Sequence, residues 1–276
     1  MQIKYFDAHC HVQFGVFDAD REELIERMQE RGVAGIVVGV DFESSEQAVE
    51  LAERYEHLFA SIGLHPNREP DERFDAAEYR MLATHPKVVA IGECGLDYFR
   101  PAVVDNEVKR KQQTLLKDQI ALATELDKPL IIHSRPSKKT PSSAKATEGK
   151  QDAYEDLIEI LKDAKVAYPN LRGDIHFFVG GVPEMQELVA LGFTVSYTAV
   201  ITFARDYDDV IRAVPPGALL SETDAPYVSP ASRPRGSRND PLAVEDVVAK
   251  LAEIRGEDIE AFRGIILANA RHLFRV

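Results

Sequence analysis

Short β-branched runs and longer amphipathic stretches alternate along the whole 276-residue chain, and this alternation constrains its fold more than any other feature. The runs at 4–11, 34–40, 58–65 and 87–93 are joined in the second half by 129–134, 173–178, 193–200 and 217–224. Between them lie helical patterns such as 21–32, 44–55, 107–127 and 154–166. In the last of these, Leu157, Ile158, Ile160, Leu161 and Ala164 share one side of a 3.6-residue repeat. Parallel strands need a crossover to connect them, and a helix is the usual one. Eight strand–helix units predict a (β/α)8 TIM-like barrel, an α/β fold in which residues 1–276 form one domain. A doubly wound open sheet is the competing architecture.

One segment breaks the rhythm. Residues 136–152 are poor in apolar side chains and rich in Ser, Thr, Lys and Pro, so a mobile insertion is expected within one βα unit. No apolar run is long enough for a membrane helix, and no secretory pattern opens the chain, so a cytoplasmic protein is expected. Two cysteines, Cys10 and Cys94, do not make a disulfide framework at this size. The net charge of −13 argues against binding nucleic acid through a global field. A polyanionic substrate would need local arginines or bound metal.

Of eight histidines, His9, His11, His65, His133 and His176 fall at or near the C-terminal ends of expected strands, as do Glu93 and Asp224. In a barrel, that is the face where catalytic groups gather. Strand alternation would put residues 7, 9 and 11 on one side, with Cys10 turned to the helix layer. By the same rule Glu222 and Asp224 share a side, and the strand-tip position favours Asp224. Four histidines (9, 11, 133 and 176) and two carboxylates (Glu93 and Asp224) make a ligand set for two divalent ions, with Glu93 able to bridge them. Mixed imidazole and carboxylate ligation suits Zn²⁺, Mn²⁺ or Co²⁺ better than Mg²⁺ or Ca²⁺, but ligand type alone leaves Zn, Mn and Mg open.

Several motifs come in a telling order: Asp7-Ala-His9-Cys-His11, Gly63-Leu-His65-Pro66, Gly92-Glu93-Cys-Gly95-Leu-Asp97-Tyr98, Pro129-Leu-Ile-Ile-His133-Ser-Arg135 and Ser221-Glu-Thr-Asp224-Ala-Pro226-Tyr227. With Asn269-Ala-Arg271-His-Leu-Phe274 they resemble the TatD-type metal-dependent hydrolases of the amidohydrolase superfamily over essentially the whole chain. The resemblance implies a distorted barrel with metal-dependent deoxyribonuclease activity, typically 3′-end trimming of single-stranded DNA. It implies His9, His11, Glu93 and Asp224 at one metal, and Glu93, His133 and His176 at the other. It also implies His65 and Tyr98 in the substrate pocket. The chain departs from the family at His176-Phe-Phe-Val-Gly180-Gly181, where a Cys and a Ser are usual, and in the 136–152 insertion.

The expected chemistry is in-line hydrolysis of a phosphodiester, with Asp224 and Glu93 the catalytic carboxylates and Asp224 the candidate base. The alternative for Asp224 is ligation without proton transfer. Phosphate contacts are expected from Arg135 and from the loop bearing Arg233, Arg235 and Arg238, since barrels often bind phosphate after strands 7 and 8. Single-stranded DNA or another phosphodiester is the expected partner, with no membrane and no obligate protein. An amide or ester hydrolase on the same site, such as a D-aminoacyl-tRNA deacylase, is one alternative. A non-catalytic scaffold is another.

Overall fold

A computed structural model describes residues 2–67, 72–101, 104–137 and 152–276. Eight parallel strands pair in chain order: β1 (Tyr5–Cys10), β2 (Val33–Val38), β3 (Leu58–Ile62), β4 (Val88–Asp97), β5 (Leu130–Arg135), β6 (Gly173–Ile175), β7 (Phe193–Tyr197) and β8 (Leu219–Ser221). The ring closes between β8 and β1. Cys10 bridges Ala225, His11 N–H donates to Ala225 O at 2.8 Å, and the Asp7 carboxylate accepts the Thr223 N–H at 2.8 Å and hydroxyl at 2.6 Å. The fold is therefore the expected (β/α)8 barrel, not an open sheet.

The helices are α1 (Arg21–Arg31), α2 (Phe42–Arg54), α3 (Ala76–Ala83), α4 (Asn106–Glu125), α5 (Asp152–Ala167), α6 (Val182–Ala190), α7 (Asp208–Ala213), α8 (Val244–Arg255) and α9 (Ile259–Phe274). Their starts follow sequence rules. Asp41, Asp75, Asp105 and Asp258 each accept backbone N–H bonds at the first turns of α2, α3, α4 and α9. β2 and β4 are buried at every position, as a parallel sheet covered on both faces requires.

The main core lies between strands and helices and includes Cys10, turned to the helix layer as expected. A second cluster joins alternate strand residues Phe6, Ile36, Val38, Ile131 and Leu220 to Leu267, Ala270, Leu273 and Phe274 of α9. Asn269 on α9 donates to the carbonyls of Pro216 and Leu219 (2.6 and 2.9 Å), Arg263 donates to Lys4 O (3.0 Å), and Phe274 stacks on Phe6. All of these partners sit at N-terminal strand ends, so α9 forms a floor and leaves the C-terminal face open.

Several strands stop short of expectation. Expected to reach residues 65, 178, 200 and 224, β3, β6, β7 and β8 end at Ile62, Ile175, Tyr197 and Ser221. Beyond those points the backbone leaves the ladder to aim side chains across the open face. β4 runs longer, through Asp97, because pairing with β5 resumes after a register shift between Ile91 and Cys94. Asp152, expected within the insertion, opens α5. Its carboxylate accepts the Ser137 N–H at 3.0 Å and hydroxyl at 2.7 Å. The rest of the expected mobile insertion, residues 138–151 with its four lysines, lies outside the described residues. Among the described residues, no helix is long and apolar enough to cross a membrane.

Candidate metal centre

The side chains of the cluster are delivered by the C-terminal ends of several strands. His9 comes from β1 and His11 from the residue just beyond it. Strict alternation would have grouped Asp7 with them, but a register shift between Asp7 and Cys10 intervenes. Asp7 stays beside Gly35 and Met28 of α1, while His9 and His11 turn into the barrel. Glu93 lies in β4 between Gly92 and Gly95, whose φ values are +145° and +138°. A Cβ at Gly95 would stand 1.9 Å from His133 O, so only glycine lets β5 approach this closely. His133 sits in β5, and His176 follows β6 with its N–H on Ile132 O at 3.0 Å. Asp224 lies three residues past β8 at φ 50°, held by its N–H to His9 O at 2.9 Å.

Ligand atoms bonded at ~2.0–2.2 Å to one tetrahedral ion stand about 3.3–3.6 Å apart. The distances in the cluster bracket this spacing, from 3.0 to 3.9 Å. His9 Nε2 lies 3.0 Å from His11 Nε2, 3.5 Å from Glu93 Oε2 and 3.8 Å from Asp224 Oδ1, and His11 Nε2 is 3.5 Å from Asp224 Oδ1. On the other side, Glu93 Oε1 lies 3.0 Å from both His133 Nδ1 and His176 Nε2 and 3.3 Å from His65 Nε2. His133 Nδ1 and His176 Nε2 are 3.3 Å apart. The two Glu93 oxygens thus address two separate groups of nitrogens. His9, His11 and Glu93 could hold one ion, and His65, Glu93 and His133 another.

Hydrogen bonding orients the rings for that task. His11 Nδ1 lies 2.8 Å from Val38 O, which can only accept, so Nδ1 carries the proton and Nε2 presents its lone pair. His133 Nε2 lies 3.1 Å from Asp97 Oδ2, leaving Nδ1 to face Glu93. Lone pairs and carboxylate oxygens converging inside a buried space need positive charge between them. Without metal that charge comes from protons. Burial alone would raise the Glu93 carboxyl, but His65, His176 and His133 outweigh it and hold it well below the usual range. Burial works to lower His176, yet Glu93 and Glu222 raise it well above an ordinary imidazole. Asp224, which burial would raise, is pulled below its usual value by His11, His9 and His176. The donor set fits divalent ions.

The structure brings His9, His11, Glu93, His133, His176 and Asp224 together and adds His65 beside Glu93. Other expected residues stand elsewhere. Tyr98 is buried toward the helix layer, its hydroxyl donating to Asp156 at 2.8 Å, because alternation from Glu93 turns Asp97, not Tyr98, toward the axis. Arg238 grips Asp20 (2.5 and 2.8 Å) and lies over the Phe17 ring, so it is tied to the start of α1 rather than presented to a substrate. Arg235 is exposed. Arg135, the last residue of β5, lies over the Phe99 ring at 3.8 Å at the rim. Two residues at the site are in view in the sequence but are not among the expected site residues. Asp97 accepts from Asn67 Nδ2 at 2.5 Å and from the N–H groups of Phe99 and Arg100 (2.8 and 2.9 Å), besides facing His133. Glu222 is fully buried behind His9 and His176. Alternation from Glu93 marks Asp97, and alternation from Leu220 marks Glu222.

Known proteins carry the same plan. The sequence matches the family model described as "TatD related DNase" over residues 6–275. It is 36% identical over 275 residues to the "Uncharacterized metal-dependent hydrolase YabD" of Bacillus subtilis, covering 98% of this chain and 99% of that protein. It is 31% identical over 280 residues to the "3′-5′ ssDNA/RNA exonuclease TatD" of Erwinia amylovora, covering 98% of this chain and 99% of that protein. The crystal structure of the TatD homologue YjjV from Escherichia coli superposes with a TM-score of 0.84 at 30% identity, over 100% of both chains. Fold, convergent ligand cluster and full-length similarity agree: the chain belongs to the TatD-related DNase family and is a metal-dependent hydrolase.

Proposed function

We propose that this hydrolase cleaves phosphodiester bonds and trims single-stranded DNA from its 3′ end. The carrying observation is the Glu93 carboxylate, one oxygen facing His9 and His11 and the other facing His65, His133 and His176. This arrangement suits two divalent ions, His9, His11, Glu93 and Asp224 holding one and Glu93, His133 and His176 the other. Bound there, such ions supply the Lewis acidity that polarises a phosphodiester and acidifies an attacking water. Asp224 lies at the mouth, its side chain 13% exposed, so its carboxylate can reach and accept the proton of that water. His65, 16% exposed at its side chain and beside Glu93, is placed to meet a phosphate oxygen. Arg135, beside Phe99 at the rim, offers the neighbouring phosphate a bidentate partner. The nuclease choice draws support from the relative named as a 3′-5′ exonuclease of single-stranded DNA and RNA.

The test strips the protein with a chelator, adds back Mg²⁺, Mn²⁺ or Zn²⁺, and follows a 3′-labelled single strand beside Asp224→Asn. Stepwise loss of 3′ nucleotides is expected on metal addition, with the variant slower by at least about 100-fold. Two bound ions without DNA cleavage would overturn the nuclease reading in favour of an amide or ester substrate.

A further inference from the structure

Glu222 sits on the opposite side of the imidazoles from Glu93. It follows β8, its N–H on Tyr197 O at 3.2 Å, and its side chain has no exposure. Oε1 accepts the Phe177 N–H at 2.5 Å. Oε2 points at two rings, 3.4 Å from His176 Nδ1 and 3.9 Å from His9 Nδ1. Those rings lie face to face, centroids 3.9 Å apart and planes 20° off parallel. Their other nitrogens point forward, His9 Nε2 to one Glu93 oxygen at 3.5 Å and His176 Nε2 to the other at 3.0 Å. His9 Nδ1, His176 Nδ1 and Glu222 Oε2 are all buried, and none makes a hydrogen bond of normal geometry. They face each other, and a contraction of about 0.5 Å toward His176 and about 1 Å toward His9 would make the single oxygen the acceptor for both nitrogens.

We infer that Glu222 is a positioning residue shared by the two metal subsites, holding His9 and His176 in the tautomer that ligates. The inference rests on the two-ion reading above. A carboxylate only accepts, so once metals occupy the Nε2 lone pairs that otherwise face Glu93, each Nδ1 carries its ring's proton toward Glu222. His9 belongs to one subsite and His176 to the other, so one carboxylate prepares both. Geometry also dictates the response to an isosteric change. In Glu222→Gln the amide oxygen is retained by the Phe177 N–H, which leaves the NH2 group aimed at both Nδ1 atoms. Those atoms must then accept, and the protons move to Nε2, where the metals bind.

The experiment has two readouts on the full-length protein. In the zinc-loaded state, two-bond ¹H–¹⁵N histidine spectra identify which ring nitrogen carries the proton. We expect Nδ1–H at His9 and His176 in the wild type and loss of that pattern at both in Glu222→Gln. Zinc titration against a chromophoric chelator should then show both affinities weakened by about 10–100-fold in the variant. Nε2–H at either ring of the wild type overturns the inference, even if the variant fails to fold. So does a variant that weakens one zinc and leaves the other unchanged. Failure of the two-ion reading would appear separately, as a wild-type stoichiometry below two.

Discussion

His133 illustrates how little a single residue decides alone. Its Nδ1 faces Glu93 and its Nε2 faces Asp97, so the ring is fixed by a carboxylate at each end. Burial works to lower its pKa, but Asp97 and Glu93 raise it above the ordinary imidazole value. Asp97→Asn removes the acceptor that sets this tautomer. Isothermal titration should show one divalent ion weakened by about 10–100-fold and the other unchanged, in contrast to Glu222→Gln. The six expected ligands were legible because imidazoles and carboxylates are costly at the ends of apolar runs and betray a purpose there. The outer carboxylates were less legible. Asp97 lay within a motif whose Tyr98 drew attention, and Glu222 shared its strand face with Asp224, so position along the strand was weighed above depth in the barrel.

At the scale of elements, the strand–helix alternation translated directly into structure, and helix starts followed their aspartates. Strand ends did not. Past β3, β6, β7 and β8 the chain is held by single tertiary hydrogen bonds such as His65 N–H to Val40 O at 2.9 Å, which no local periodicity encodes. The loop after β8 is another case. Its arginines read as phosphate ligands, yet Arg233 pairs with Asp240 and Arg238 with Asp20, tethering the loop to its own base and to α1. Arg238 holds the Asp20 carboxyl below its ordinary value. A carboxyl depressed by folding stabilises above its unfolded pKa, and that stability disappears as pH falls through the folded value. Discounted for the exposure of both partners, the pair is worth about 0.5–1 kcal/mol. Urea melts should show Asp20→Asn less stable than wild type by this amount at pH 7, the difference vanishing under strong acid.

The whole molecule divides its labour along the barrel axis. The N-terminal end is sealed by aromatic packing, with Phe6 between Phe59 and Phe274 at 6.1 Å from each and 1% exposed. The other end holds the imidazoles and carboxylates. Phe6→Ala should lower stability by about 3–5 kcal/mol, read from denaturant unfolding, through the cavity it leaves in the floor. Folded variant at low temperature should still take up metal with wild-type stoichiometry, since the ligands project from the opposite ends of the strands. The overall charge of −13 argues against broad electrostatic capture of nucleic acid, so the proposed phosphodiester substrate would be met at a small, locally built site. Between β5 and α5, Ser137 and Asp152 clasp each other through two hydrogen bonds. Those bonds bring the two ends of the junction together on the barrel. Because loop closure costs only about 0.6 kcal/mol per doubling of length, that junction is a natural place to graft foreign sequence beside the open face without rebuilding the scaffold beneath it.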